Sequence, residues 1–418
     1  MTPPRILYLT FAVSFIDPTR ELLVDILGQA GALTLYGPGH SSPRELDEGV
    51  AAFADRHGPF DVVVTDEYVL QDFDDPDPRR HRFVNHACRF DRALLGKAVE
   101  YRAFLRQCRI PRVLTLMQSD FYNFPSRYIE RMDELGDYFI TWGGELVLAK
   151  AAADPDAARL GGVNAYILDR WNDNYRDFVT AQSHRIISCP QYVAAAEFDD
   201  RPLAGRPHPW SVLGADYQAR MVARDHLDRA GIACSGRRLP YAFAAANRIK
   251  LNLHAHYWSL GLLHWGFRSA LRRSRHSFTC GSILRWPIRK FFEIPANGCV
   301  LVAEPSEGFG DLGFVHGRTA VACRPDDILD AHAWLSADPA RAQAIAAAGR
   351  DLVRDHHSVG ARARQIGACL RRIRDGAFRG ARWRNGDFAL LPASDEPAGC
   401  RLHPRRKERT LATPTGGA

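Results

Sequence analysis

The chain has 418 residues, 46% of them hydrophobic and 25% charged, with a formal net charge of +7. That length exceeds what one core holds and predicts two domains and a tail, while no run of about 18 or more uncharged apolar residues supports a membrane-spanning helix. The nine cysteines lack metal-finger spacing and the amino terminus lacks a secretory cleavage pattern, so a reduced, cytoplasmic protein is expected.

In chain order, "RILYLTF" (residues 5–11) reads as a buried strand. "PTRELLVDILGQAG" follows with Leu22, Leu23, Ile26 and Leu27 at helical spacing and Gly31 as a stop. "ALTLYGP" is a second strand, "ELDEGVAAFADRHG" one helix, and "FDVVVTDEYVL" holds a third strand. "PRVLTLMQSD", "DYFITWG" and "HRIISCP" supply three more. Continuous apolar strands alternating with helices predict a parallel sheet covered on both faces, with ligands beyond the carboxyl ends of its strands.

The proline-rich stretch "DDRPLAGRPHPW" predicts an interdomain linker. The pattern then restarts. "WSVLGADYQARMVARDHLDRAGI" is a strand, a glycine turn and a helix, and "RIKLNLHAHYW", "GCVLVAE" and "TAVACR" read as later strands. "PDDILDAHAWLSADP" and "ARAQAIAAAGRDLVRDHH" are amphipathic helices. The predicted domains are residues 1–200 and 210–375, joined by a linker at 201–209 and followed by a basic, unstructured tail at 376–418.

Three places in the second half carry chemistry. Gly214 opens a strand-to-helix turn, where backbone amides can approach an anion. Asn247, Lys250 and Asn252 interrupt an apolar segment, and Lys250 can hold a phosphate as a point charge. Glu293 follows two phenylalanines in "KFFEIPANGCVLV", four residues after Arg289. A carboxylate in such apolar company needs a partner: that arginine, Lys290 or a ligand hydroxyl.

From residue 210 to about 364 these motifs resemble the spore-maturation-type branch of group 1 glycosyltransferases. The carrying residues are "VLGADYQAR", "NRIKLNLH", "RKFFEIPANGCVLVAEP", "GFVHG" and "ARAQAIAAAGRDLVRDHHSVGARA". The resemblance implies an α/β, GT-B-like fold: two facing Rossmann-like domains with parallel sheets and a cleft between them. It implies transfer of a sugar from a nucleotide-diphosphate donor, as co-substrate, to a glycan, lipid-linked or protein hydroxyl, with neither metal nor other cofactor. Glu293 would accept hydrogen bonds from the ribose diol, whose two protons suit its two oxygens. Gly214 would line the diphosphate, Arg289 or Lys250 would offset its charge, and Asn247, Asn252 and Gly298 complete the donor set. Where many members carry a second glutamate, eight positions before Glu293, this chain has Arg285.

The acceptor-side base is sought after the first-domain strands. Asp66, Glu67 and Asp120 stand there, and Asp120 is preferred because Phe121, Tyr122 and Phe124 could stack a sugar ring. His184 and His316 are lesser candidates. The acidic run Asp72, Asp74, Asp75 and Asp77, broken by two prolines, reads as a solvated loop rather than a cation site. Residues 259–286 look like a basic, aromatic insert that borders the acceptor. The basic segments allow peripheral association with the inner face of a membrane. The alternatives are an inactive module that binds a nucleotide sugar or glycan and, less favoured, a nucleic-acid binder using Arg268, Arg272, Arg273, Arg275, Arg285 and Arg289 with interleaved aromatics.

Overall fold

A computed structural model describes residues 2–12, 18–71, 92–116, 123–143, 168–236, 257–282 and 284–392. The first half forms the predicted parallel sheet: β1 (Arg5–Leu9), β2 (Ala32–Tyr36), β3 (Val62–Asp66), β4 (Arg112–Leu116), β5 (Tyr138–Thr141) and β6 (Ile186–Ser188). Their order is β2-β1-β3-β4-β5-β6, with every pairing parallel. Helices α1 (Thr19–Ala30), α2 (Pro43–Glu48), α3 (Val50–His57), α4 (Arg92–Gln107), α5 (Ser126–Leu135) and α6 (Asn174–Ala181) connect them. The stretch read as one helix between β2 and β3 is two. Ser42 and Glu45 form a capping box that starts α2, and Gly49, at φ 88°, breaks the chain before α3.

The second sheet comprises β7 (His208–Ser211), β8 (Cys234–Ser235), β9 (Ser274–Thr279), β10 (Val300–Ala303) and β11 (Val321–Ala322), again all parallel, in the order β11-β10-β9-β7-β8. Around it lie α7 (Gln218–Arg229), α8 (Tyr257–Arg272), α9 (Lys290–Ala296), α10 (Ile328–Ala337) and α11 (Pro339–His356). The chain thus builds two Rossmann-like α/β units, as its sequence predicted. The first strand of the second unit starts at His208, inside the expected linker. Of the segment read as the strand "RIKLNLHAHYW", residues 248–256 lie outside the described residues, and Tyr257 and Trp258 are helical.

Residues 259–286 are not an insert. They supply most of α8 and the whole of β9, the middle strand of the second sheet. β9 is buried although three of its residues are serine or histidine, because both serine hydroxyls have inward partners and the histidine ring packs on an aromatic one, its Nδ1 left without a hydrogen bond. The Ser277 hydroxyl pairs with Ser211 Oγ at 2.9 Å, Ser274 Oγ lies 2.7 Å from Ser235 Oγ, and the His276 ring packs on Trp210 at 5.1 Å. Buried hydroxyls that satisfy one another avoid the cost of desolvation.

The expected second-domain end at residue 375 and the unstructured tail after it also differ from the structure. α12 (Val359–Arg374) returns to the first domain and packs against α1, with Ala363, Ile366, Cys369, Leu370 and Ile373 joining that domain's core. Residues 381–390 form an antiparallel hairpin of β12 (Ala381–Arg384) and β13 (Asp387–Leu390), while 393–418 lie outside the described residues. Trp383 of β12 is buried, donates to the Ser188 carbonyl at 3.3 Å and stacks on His357 at 4.8 Å. His357 Nε2 meets the Leu312 carbonyl at 2.8 Å, and its Nδ1 lies 2.8 Å from the Arg362 guanidinium.

This burial makes stability depend on pH. Desolvation, aided by the neighbouring Arg362, holds His357 well below the ordinary histidine value, and desolvation brings His276 to about 3. Both histidines are neutral in the folded chain, whereas the unfolded chain takes up protons as pH falls below about 6.5. Their contribution is therefore complete above that value and is lost as pH drops toward the folded-state values. At pH 5 His276 should have cost about 2 kcal/mol relative to pH 7, and His357 acts in the same direction. Urea titrations of the parent and of His276→Phe should differ in this pH dependence by about that amount; parallel curves would contradict it.

Candidate active site

The carboxyl ends of the second sheet meet the first domain. Leu284 and Trp286, on the segment that leaves β9, belong to the first domain's core cluster, and Arg289 Nη1 donates to the Tyr192 carbonyl at 2.6 Å. Ser282 and Arg285 take left-handed φ values of 57° and 50° in this segment, which turns sharply toward α9.

Gly214 lies just beyond β7, at φ 108°, ahead of the first turn of α7. The amides of Gln218 and Ala219 there have no intrahelical acceptor, while those of Tyr217 and Arg220 donate to the Ala215 and Tyr217 carbonyls. A Cβ at Gly214 would stand 2.6 Å from Lys290 Cε, 2.8 Å from Arg220 Nη1 and 3.1 Å from Lys290 Nζ. Two cations therefore press against the bare backbone of this turn. Arg220 is 1% exposed. It donates to the Ala215 carbonyl at 3.1 Å and to Thr279 Oγ1 at 3.3 Å; its Nε has no partner, and no carboxylate among the described residues pairs with it. Aromatic rings back both cations: Tyr217 under Arg220 at 5.2 Å and Phe267 under Lys290 at 5.3 Å. Burial pushes the nearby Cys280 thiol up, opposed by Arg220 and Lys290 and reinforced by Glu304.

An arginine this buried with no carboxylate partner is costly unless an anion arrives. Its place at the carboxyl edge of a parallel sheet, beside a helix start, is where such an anion binds. The arrangement suits a diphosphate: backbone amides for hydrogen bonds and two cations for charge.

The sequence candidates divide. Gly214 is at this edge. Glu293 stands on α9 three residues after Lys290, which puts the two on one helix face. Arg289 is turned away from Gly214. Its Nη2 donates to both carboxylate oxygens of Glu197, at 2.7 and 2.8 Å, and its Nε to Glu293 Oε1 at 2.8 Å. Among the described residues, the cations against the turn are Arg220 and Lys290. Both stood in the motifs, at the end of "GADYQAR" and the start of "KFFE", but nothing in a linear pattern says which of several basic residues points at Gly214. Gly298, at φ 71°, ends α9 and precedes β10 at its amino end, so it lies at the opposite edge of the sheet. A Cβ there would meet Arg206 and the Asp199 carbonyl, which makes it a packing residue. Asn247, Lys250, Asn252 and Asp120 fall outside the described residues, as do Asp72, Asp74, Asp75 and Asp77.

On the first-domain side, Asp66 and Glu67 are buried and engaged. Asp66 accepts from Tyr8, Thr10 and Thr115, each at 2.7 Å, and Arg20 ion-pairs with both acids. This clamp ties three strand ends together and leaves neither acid disposed as a base. Phe124, suggested as a sugar platform, is buried edge-on against Tyr128 and Tyr175. His184 sits in a short helical turn after α6. His316 is exposed, accepts from the Ala322 amide at 3.2 Å and stacks on Trp334. The sequence reading passed over Glu304, at the carboxyl end of β10, although an acid directly after the apolar run "VLVA" was a visible signal. The basic-aromatic stretch proposed for nucleic acid is not one surface, since Phe278, Trp286 and Arg289 are buried.

Fold and site together define a two-domain, Rossmann-like α/β protein with two cations set against a glycine turn at the carboxyl edge of its second sheet. A glycosyl transferase-like family model matches residues 237–368, a segment that contains Arg289, Lys290 and Glu293. No curated protein sequence matches the chain. Among solved structures, HepE from Anabaena, crystallised with UDP, is 10% identical with a TM-score of 0.48, over 88% of this chain and 99% of that one. A glycosyltransferase from Rickettsia africae is 14% identical with a TM-score of 0.48, over 89% and 99%. Sucrose-phosphate synthase from Thermosynechococcus elongatus is 13% identical with a TM-score of 0.47, over 90% and 100%.

Proposed function

We propose that the protein is a glycosyltransferase that uses a nucleoside-diphosphate sugar and needs no metal. The observation that carries this reading is Arg220, a buried guanidinium with no carboxylate partner among the described residues, set with Lys290 against Gly214. The match of residues 237–368 to a glycosyl transferase-like family supports it. In this reading the diphosphate lies on the Gly214 turn. As the glycosidic bond breaks, negative charge grows on the leaving phosphate, and fixed cations stabilise that charge more than they stabilise the ground state. Glu293, one helical turn behind Lys290, takes the ribose hydroxyls, and Arg289 is a positioning residue that fixes the carboxylate. Asn247, Lys250 and Asn252 remain donor candidates. Asp120 remains the candidate base on the acceptor side, where a glycan, lipid-linked or protein hydroxyl reacts. The enzyme works in the cytoplasm, at the inner face of a membrane.

Nucleoside diphosphates should raise the melting temperature where the parent nucleosides do not, because a ligand bound only by the folded state stabilises it. Glu293→Gln should weaken that binding by about tenfold or more, the worth of one charged hydrogen bond of about 1.5–3 kcal/mol. Unchanged affinity by calorimetry in the folded variant would remove Glu293 from the donor site. Because Arg220 and Lys290 supply the positive charge, transfer should survive EDTA; loss restored by magnesium or manganese would point to the aspartates of residues 72–77 instead.

A second reading has one observation in its favour. Arg285 stands where many related enzymes carry an acid, which suits a module that binds a nucleotide sugar without turning it over. Donor hydrolysis and transfer assays separate the two readings, since binding without either reaction leaves only the module.

A further inference from the structure

We propose that the outer face of α8 is a docking surface for an anionic lipid bilayer. Trp258, Leu262 and Trp265 are 67, 43 and 62% exposed. Their spacing of four and three residues puts them in one stripe of the helix. The other large exposed hydrophobics, Val99, Met221 and Val315, lie singly on separate parts of the chain. Toward the end of α8 the stripe runs into a shallow hollow of about 300 Å3 lined by Trp265, Ser269, Arg201, Arg268, Arg272 and Arg273.

The charge around the stripe is one-sided. Four arginines, Arg201, Arg268, Arg272 and Arg273, line the hollow, and no acid among the described residues does. Arg201 and Arg272 are partly neutralised by Asp199, at 2.7 and 3.8 Å. Arg268 and Arg273 make no side-chain hydrogen bond or ion pair among the described residues. Indole rings favour the boundary between headgroups and acyl chains, and guanidinium groups grip phosphate oxygens in pairs. A row of two tryptophans and a leucine with arginines at one end matches that boundary in both polarity and charge. A second copy of the chain matches poorly, because it would bring like charges together across a stripe much smaller than the roughly 1,600 Å2 of a standard interface. No described helix is long and apolar enough to cross a membrane, so attachment would be to the surface alone.

This names the surface behind the membrane position in the proposed function and rests on that reading for its purpose. It is tested without donor or acceptor, so its failure leaves donor binding untouched. The full chain is floated with vesicles of phosphatidylcholine alone or mixed with phosphatidylglycerol. The expected result is binding to the mixed vesicles only, weakened by salt, with tryptophan fluorescence quenched by lipids brominated in the acyl chain. Arg268→Gln with Arg273→Gln should lower binding about 25-fold, near fivefold for each arginine at an anionic surface. Trp258→Ser with Trp265→Ser should abolish the quenching. Both pairs are at the surface, and an unchanged urea midpoint verifies that each variant folds. Equal binding to both vesicle types, no binding, or retention of binding by either variant would overturn the proposal. So would a dimer that dissociates on replacement of the tryptophans, or an oligonucleotide that displaces the protein from vesicles through the same arginines.

Discussion

Arg220→Met should abolish measurable nucleoside-diphosphate binding while leaving the unliganded protein at least as stable as its parent. The two halves of this expectation have one cause. Arg220 is buried with only a carbonyl and a hydroxyl as acceptors, and its Nε has no partner. The folded chain bears the desolvation of that charge with little return, and replacing a buried charge by an apolar side chain of similar size is often neutral or stabilising by about 1–4 kcal/mol. A bound diphosphate reverses the balance. It supplies the missing charge at the Gly214 turn, and each charge-assisted hydrogen bond lost there removes about 1.5–3 kcal/mol, ten- to a hundredfold in affinity. Lys290→Ala should weaken binding less, because a flexible ammonium offers no paired donors. Calorimetry with nucleoside diphosphates and a urea titration without ligand measure both halves. A variant that binds as the parent does, or one that unfolds, would make Arg220 a structural residue and remove the main support for the donor site.

Arg289→Ala should behave in the opposite way and cost about 3–5 kcal/mol of stability, the usual penalty for breaking a buried ion pair from one side. Arg289 donates to both oxygens of Glu197, to Glu293 and to the Tyr192 carbonyl. Glu197 also caps its own short turn through the Ala194 amide at 2.7 Å. One guanidinium therefore joins the link between the domains to the first turn of α9, and its loss strands two carboxylates in low dielectric. Arg289→Lys should recover only part of the stability, since an ammonium cannot reproduce the paired geometry. If Arg289 instead touched the diphosphate, its removal would lower ligand affinity and leave the unfolding free energy within about 1 kcal/mol of the parent. Denaturation of both variants beside Arg220→Met distinguishes the positioning cation from the binding cation.

These two arginines also mark how far the linear pattern reached. Glu293 was recognisable as an acid in need of a partner, and both arginines stood in quoted motifs. Arg289 was preferred because a spacing of four residues is a local relation that sequence exposes. The approach of Arg220 to Gly214 depends on how α7 starts over the sheet, and that of Lys290 on a left-handed turn near residue 285 that swings α9 toward β7. Neither relation has a sequence period.

By itself the sequence determined the first sheet, strand by strand, and the restart of the same architecture after a linker, though two residues later than His208, where the strand begins. Strands such as "VVVT" are covered on both faces, so burial writes itself as an unbroken apolar run. It also placed Gly214 at a strand-to-helix turn. Tertiary structure alone decided the middle of the second sheet. β9 reads "SRHSFT" and looks like surface, because its serines and histidine are buried against Ser211, Ser235 and Trp210, which lie far away in sequence. It likewise decided that Trp383 is core, that α12 completes the first domain and that Arg289 serves Glu197. Hydrophobic periodicity records only whether a residue faces solvent within its own element. The partners of a buried polar group, and the element that covers a distant face, are set by packing between segments and leave no local trace.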